Sequence, residues 1–570
     1  MQRTCRQCSA SFQVTPSDLA FYEKVSPTFH GKKELIPPPT LCADCRQQRR
    51  LAQANQLNLY ERKCDLTGAS IISNIHPGAP CKVYRQQDWY SDKWDPLEYG
   101  REWDPSRPFF AQLKELLFTV PRPNVFTGFE FDENSEYTNH AGKNKDCYLI
   151  FDSDECRSCY YSYSINNCMD CADCFRTRKS ELCYECVDCV RCYASAFLQD
   201  CDNCADSMFL KNCTGCKHSL MCSNLRNKEY FVENKPVSKE EFMRFRSLLG
   251  SRDMVLSAKE RFGKLKLEHP QKYMHGVQNE GVLGDYLVNC KDAYLCYDSE
   301  DLWDCRHAYQ GFMPLKNCMD VQECGDAELL YECCVCGYGM KNSGFCTLTL
   351  TSVNDVFYCH HCHHVKNCFG CVGLNRKEYC ILNKQYTKEE YERLVPKIIE
   401  HMRKTPLRSP DGSFAGQEWG EFIPAELSIH GYNETLAQDY NPLTKAQVEE
   451  RGWKWFDKPE ASDQYMGPPV VIPDSIADAD DSVCANILRC EATGKPFKII
   501  PQELKLCQRL NVPLPRKTFF QRHQERMALR NPRKLWKRSC AKCQKEIETT
   551  YAPDRPEIVS CEQCYLSSVY

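Results

Sequence analysis

The residues best suited to chemistry are eight cysteines in four Cys-x-x-Cys pairs, two pairs near each end of the chain. Cys5 with Cys8 and Cys42 with Cys45 make one set, and Cys540 with Cys543 and Cys561 with Cys564 make the other. A Cys-x-x-Cys turn folds two thiolates toward one point, and two such turns complete a tetrahedral all-sulfur site that suits Zn²⁺. Iron–sulfur binding is the alternative for the same ligands. A closed four-cysteine site leaves no position for a substrate water, so the ion expected at each end is structural. The expectation is two structural Zn²⁺ per chain.

The segments that must position these ligands read as copies of each other. Arg46, Arg50, Asn55, Arg62 and Cys64 recur in the same order as Arg522, Arg526, Asn531, Arg538 and Cys540. Each end therefore holds two modules. At the front the first keeps four cysteines, and the second is reduced to Cys64-x-x-Thr67-Gly68 with Cys81 retained. At the rear the first is reduced to Cys490-x-x-Thr493-Gly494, and the second keeps all four. Thr-Gly stands where the second cysteine of the turn would be.

Charge separates along the same lines. The net charge is −4, yet residues 1–64 carry +5 and residues 489–545 carry +13, which leaves −22 for the rest. Arg522, Arg526 and Arg530 recur every four residues and would form one stripe on a helix. Arg533, Lys534, Lys537 and Arg538 continue the positive surface up to Cys540. His523 and Trp536 could stack on unpaired bases, so the partner expected is nucleic acid (RNA or single strands) or a nucleoprotein. The alternative is intramolecular: the basic ends dock on the acidic middle of their own chain.

That middle runs on a period of three. All fifteen cysteines between residues 147 and 222 fall at positions divisible by three, a spacing that neither a helix nor a plain strand produces. Small or apolar residues such as Ser195 and Leu210 fill the other positions of this phase. The pattern implies a β-solenoid whose short sides each turn one residue inward, with coils of twelve or about 21 residues. A looser second solenoid follows in three phases: Cys290 to Ala308; Cys318, Val321, Cys324, Ala327, Leu330, Cys333 and Cys336; and Val353 to Leu374. Both end in matching text, and Ser238…Glu241 and Thr387…Glu390 are capping boxes that start a covering helix. The cysteine ladder reads as a narrow core of buried thiols, with metal storage and disulfide stapling as alternatives. His360, His361, His363 and His364 fall on the outward phase and read as a surface cluster.

Cysteine makes up 42 of 570 residues, with 42% hydrophobic and 26% charged residues overall, which excludes a disordered chain. No apolar run reaches the roughly 18 to 20 residues of a membrane helix. The polar start, MQRTCRQCSA, carries no apolar leader core, so the expected compartment is the cytoplasm, where thiols stay reduced. The fold class is mainly β with small α elements: two tandem cysteine-rich solenoids with helical caps, flanked by duplicated zinc-ribbon-like modules. The boundaries drawn are 1–63 (four-cysteine module), 64–125 (degenerate module and aromatic-acidic linker), 126–260 and 261–405 (solenoids with caps), 406–483 (acidic linker), 484–539 (degenerate basic module) and 540–570 (four-cysteine module).

No phosphate-binding glycine loop, His-Glu-x-x-His or Gly-x-Ser-x-Gly motif is present, so the leading role is a binding scaffold. The alternatives are metal buffering by the ladder and an enzyme or ligand binder. For the last, the block Asp88-Trp89, Trp94-Asp95 and Trp103-Asp104 could line a pocket. Trp89 to Asp95, Ser106 to Phe110, Asn367 to Glu389, Gly431 to Thr435, Cys490 to Phe497, Arg530 to Arg533 and Thr549 to Asp554 resemble an uncharacterised family of cysteine-rich zinc-ribbon and β-solenoid proteins recurrent in bacteria of the candidate phyla radiation. The resemblance implies zinc modules and no defined activity. The CaiB/BaiF coenzyme A transferase label that some members carry finds no motif in this chain.

Overall fold

The structure, a computed structural model, describes residues 1–311, 315–316, 319–321, 327–328, 331–334, 339–349, 351–408, 418–457 and 470–569. It is mainly strand with shorter helices, and no sheet closes into a barrel. The chain forms two compact units. Met1–Val125 and Met274–Phe456 make one, and Phe126–Tyr273 and Asp457–Tyr570 make the other. Each terminal arm thus packs with the ladder farther from it in sequence.

In the second unit, residues pair in parallel with those twelve positions on. Lys145, Arg157, Met169 and Glu181 form one column of bridges, and Phe151, Tyr163, Phe175, Val187, Gln199 and Lys211 form another. Coil length is therefore twelve, in four sides of three residues. The backbone supplies the period: from His140 to Glu233 nearly every third residue has φ near +50°. One left-handed residue after two extended ones turns the chain, and four such triplets bring it back over itself. A left-handed conformation disfavours most side chains by roughly 1–2 kcal/mol, least for Asn and Asp. Asp146, Asp152, Asn167, Asp170, Asp173, Asp188, Asp200, Asn203, Asn212 and Asn227 occupy such positions. Elsewhere the ladder holds them, as where Lys179 N donates to Asn166 O at 2.9 Å.

The residue after each left-handed one points inward. Cys171, Ser195, Cys204 and Leu210 are fully buried and Lys179 is exposed, while Lys211 is half-buried beside Asp200. Inward serines join successive coils: Ser162 Oγ donates to Tyr160 O (2.9 Å) and accepts from Cys174 N (3.0 Å). Inward thiols donate to backbone carbonyls, as Cys171 does to Met169 O at 3.3 Å. All described cysteines are free.

The ladder of the first unit, from Gly276–Val277 to Glu378–Ile381, is less regular, with register steps of eleven, twelve and thirteen. Cys290, Cys296, Val356, Cys362 and Cys371 line its core. Cys318, Cys324, Leu330 and Cys336 lie outside the described residues. Each ladder ends in an antiparallel hairpin and a helix, Lys239–Leu248 capped by Ser238 or Lys388–Lys404 capped by Thr387. Of the histidine row only His364 is exposed. His360, His361 and His363 are buried against Trp89, Tyr90 and Arg122 because the front arm covers that side of the ladder.

Candidate metal centres and the arginine docks

Four hairpins carry one local geometry. Cys5, Cys64, Cys490 and Cys540 each donate their N–H to the carbonyl five residues on, at 2.8–2.9 Å. Each accepts at its own carbonyl from the residue four on: Ser9, Gly68, Gly494 or Gln544. That residue is left-handed, with φ between 61° and 74°, so the chain doubles back and leaves backbone N–H groups facing the first sulfur. Such donors favour a thiolate. At Cys540 they outweigh burial and bring the thiol to about 6.

The second ligand pair is not a second knuckle, as its spacing had suggested. It opens a helix. Cys42 is the N-cap of Ala43–Leu51, which carries Cys45, and Cys561 precedes Glu562–Val569, which carries Cys564. A helix N-terminus stabilises negative sulfur. In each tetrad the four sulfurs lie within 4.8 Å of one another, and these are the only such groups among the described residues. Cys8 and Cys42 are 3.6 Å apart, and Cys543 and Cys561 3.8 Å. Tetrahedral bonds of about 2.3 Å from sulfur to Zn²⁺ put sulfurs roughly 3.8 Å apart. Two cysteine tetrads that could each hold a metal ion are therefore present. Ladder thiols meet neighbouring thiols, as Cys171 does Cys159 and Cys183, but among the described residues no three of them lie within 4.8 Å of one another.

The degenerate modules keep the scaffold and replace the ligands. Arg85 N donates to Cys64 Sγ at 3.3 Å, as Cys561 N does to Cys540 Sγ at 3.3 Å. The four ligand positions of the front degenerate module are thus Cys64, Thr67, Arg85 and Asp88, and Arg85 Nε pairs with Asp88 at 2.9 Å. Cys81, the other cysteine that this module retains, does not take the third ligand position. In the rear module the positions are Cys490, Thr493, Thr518 and Gln521. The Thr493 hydroxyl and the Thr518 backbone bond the cysteine sulfur, and Thr518 caps Phe519–Met527 in place of Cys42.

The arginine stripe is where sequence and structure part. Arg522, Arg526 and Arg530 do lie on one face, but Arg522 and Arg526 are only 5% and 3% exposed. They form no outer surface, because acids of the first ladder reach them from about 350 residues away. Arg522 pairs with Asp173 and, at 2.8 Å, with Glu503; Arg526 pairs with Asp173 at 2.8 Å and Arg530 with Asp188 at 2.7 Å. His523 is buried between Tyr163 and Phe175, unavailable for base stacking. Of the remaining residues, Arg533 is half-buried, Arg538 donates to the carbonyls of Ala552 and Glu557, and Lys534 and Lys537 are exposed.

The front arm repeats the arrangement on the other ladder. Arg46 pairs with Asp320 at 2.7 Å, Arg49 with Glu332 at 2.7 Å and Glu421 at 2.9 Å, and Arg50 lies 3.6 Å from Asp320. Asp320 and Glu332 are left-handed positions twelve apart, as are Asp173 and Glu185. Burial pushes Asp320 up, but Arg46 and Arg50 outweigh it and hold the carboxyl below its usual value. Burial raises Asp173 despite Arg522 and Arg526, and raises Glu503 to about 7 despite Arg522. Paired acids at the same left-handed corner of both ladders were the missed signal. No protein-family model matches the chain, and no curated protein matches it.

Proposed function

We propose that the protein is a zinc-stabilised scaffold: two β-solenoids, each locked by a terminal arm built from zinc-ribbon-like modules, working in a reducing compartment such as the cytoplasm. The observation that carries this reading is that both arms bury the same arginine pair against an acid of a ladder. The basic ends then serve intramolecular docking, with zinc setting the helix that presents the front dock and the Thr518 cap setting the one at the rear. Membership of the candidate phyla radiation family stands within this proposal. The test is metal analysis of protein purified under reducing conditions, together with hydrogen exchange across 43–51 and 519–527. Close to two zinc ions per chain and slow exchange in both helices support the reading. Iron–sulfur absorbance, or fast exchange in both helices with metal bound, contradicts it.

A second reading, nucleic-acid binding, rests on exposed Lys534 and Lys537 beside Trp536, with Lys534 Nζ 5.3 Å from that ring, next to the rear tetrad. Here single-stranded RNA should bind with steep salt dependence, and the double change Lys534→Glu and Lys537→Glu should abolish binding. RNA binding that is absent at low salt removes this reading.

A further inference from the structure

One inner column of the twelve-residue ladder carries Cys147, Cys159, Cys171 and Cys183 on successive coils, then Ser195, Ser207 and Ser219 on the next three. Each of these serines donates its hydroxyl to the carbonyl two residues back, at 2.7–2.9 Å. Ser195 and Ser207 also accept the N–H of the residue stacked on them, at 3.2 and 3.0 Å. A hydroxyl is a stronger donor than a thiol, so closing the coil at this corner does not require sulfur. The run of four thiols needs another reason.

The four sulfurs occupy equivalent places. Each thiol shares its proton between the carbonyl two residues back, at 3.3–3.5 Å, and the carbonyl nine residues on, at 3.5–3.6 Å. Equivalent atoms on neighbouring strands of a ladder repeat at about 4.8 Å. Each sulfur accordingly meets the next in the row: Cys147 with Cys159, Cys159 with Cys171, and Cys171 with Cys183. Among the described residues no third thiol lies within 4.8 Å of both members of such a pair. The spacing is too long for a disulfide and too open for a tetrahedral ion, whose sulfurs stand roughly 3.8 Å apart. It suits a two-coordinate ion, because two bonds of about 2.3 Å laid in line put their sulfurs roughly 4.6 Å apart.

Charge narrows the choice of ion. Cys147 is 3% exposed and the other three are fully buried, among neutral thiols, Ile and Leu. Such a core resists any net charge. A monovalent ion that replaces a thiol proton leaves the charge unchanged, and in a row each inner sulfur bridges two ions. Three ions on four sulfurs form six metal–sulfur bonds, send three protons to solvent and leave one end sulfur as a thiol. The core stays neutral and no electron is transferred. Among monovalent ions, soft sulfur selects Cu(I).

We propose that Cys147, Cys159, Cys171 and Cys183 form a binding row for soft monovalent cations, Cu(I) above all, each ion held in line between two stacked sulfurs. The row goes beyond the scaffold reading and depends on neither the docks nor the tetrads.

The test supplies copper to the full chain in two ways. Copper in the medium of the producing cells is present as the coils close, and Cu(I) is also added without oxygen to purified, zinc-loaded protein. Copper and zinc are counted by native mass spectrometry, and X-ray absorption gives the copper coordination. At least about three copper ions should be held beside the zinc, each with two sulfur neighbours. Cys159→Ser with Cys171→Ser interrupts every gap in the row and should lower the copper count by about three. Zinc and the melting temperature of the copper-free protein should stay near the parent values, since serine already serves this column. Cys171→Ser alone leaves only the gap from Cys147 to Cys159 and should lower the count by about two. Cys222→Ser, at a cysteine stacked on Leu210, should leave it unchanged. No copper by either route, copper taken up only as zinc is lost, or a count that the row variants leave unchanged overturns the proposal.

Discussion

The front and rear arms use the same parts in different order. At the front the metal tetrad and the dock share one helix: Cys45 lies within Ala43–Leu51, next to Arg46, Arg49 and Arg50. At the rear the docking helix Phe519–Met527 belongs to the degenerate module, starts on a threonine cap and ends before the tetrad begins at Cys540. Metal and dock are coupled in one arm and separate in the other. A helix start can be held by a metal or by a hydrogen-bonded cap, and the choice decides what metal loss does.

The largest effect expected is therefore asymmetric. Cys45→Ser should remove one ion and release the front dock, because structural zinc is worth of order 10 kcal/mol to the segment that it folds. Hydrogen exchange in 43–51 should rise by orders of magnitude. Cys540→Ser should also remove one ion yet leave exchange in 519–527 within about tenfold of the parent, since Thr518 and not zinc holds that helix. Equal deprotection of both docking helices would break the comparison.

The docks come next. Asp320→Ala and Asp173→Ala each remove a carboxylate shared by two buried arginines and should cost about 3–5 kcal/mol in urea unfolding of the affected unit. A change below about 1 kcal/mol in either would mean that the pair is not a dock.

A smaller effect should appear with pH, at the rear. The carboxyl of Glu503 is raised in the folded state, so its contribution is fully present below the ordinary glutamate range near pH 4.5 and is lost as pH rises through about 7. The melting temperature of the rear unit should fall between about pH 4.5 and pH 7, and Glu503→Gln should flatten that fall. An unchanged slope in the variant would place the titration elsewhere.

The smallest effect separates the two arginine pairs. Fully buried Arg50 has no hydrogen-bonding partner for its guanidinium among the described residues, and its counterpart Arg526 donates to Asp173. Arg50→Met should change stability by about 1 kcal/mol or less, and Arg526→Met by about 2–3 kcal/mol, because only the second breaks a charged hydrogen bond. The reverse order would show that the copies divide the work differently.

Spacing alone determined the local rules: four thiolates at each end, two tetrads rather than four, an inward residue at every third position and a capped helix after each ladder. These are legible because each follows from a few neighbouring residues obeying one backbone geometry. The left-handed corners were partly legible too, in the run of Asn and Asp one place before the inward residue. What Arg46 and Arg522 face was not legible, because a helical stripe of arginines has the same sequence whether it meets phosphate or a carboxylate. Only folding brings Asp320 within 2.7 Å of Arg46 and Asp173 onto Arg522 and Arg526. The tertiary structure likewise decided that Arg85 and not Cys81 takes the third ligand position, since that depends on which N–H reaches Cys64 across a loop of 21 residues. Ligand type is written locally, but burial and pairing are set by contacts between segments far apart in the chain.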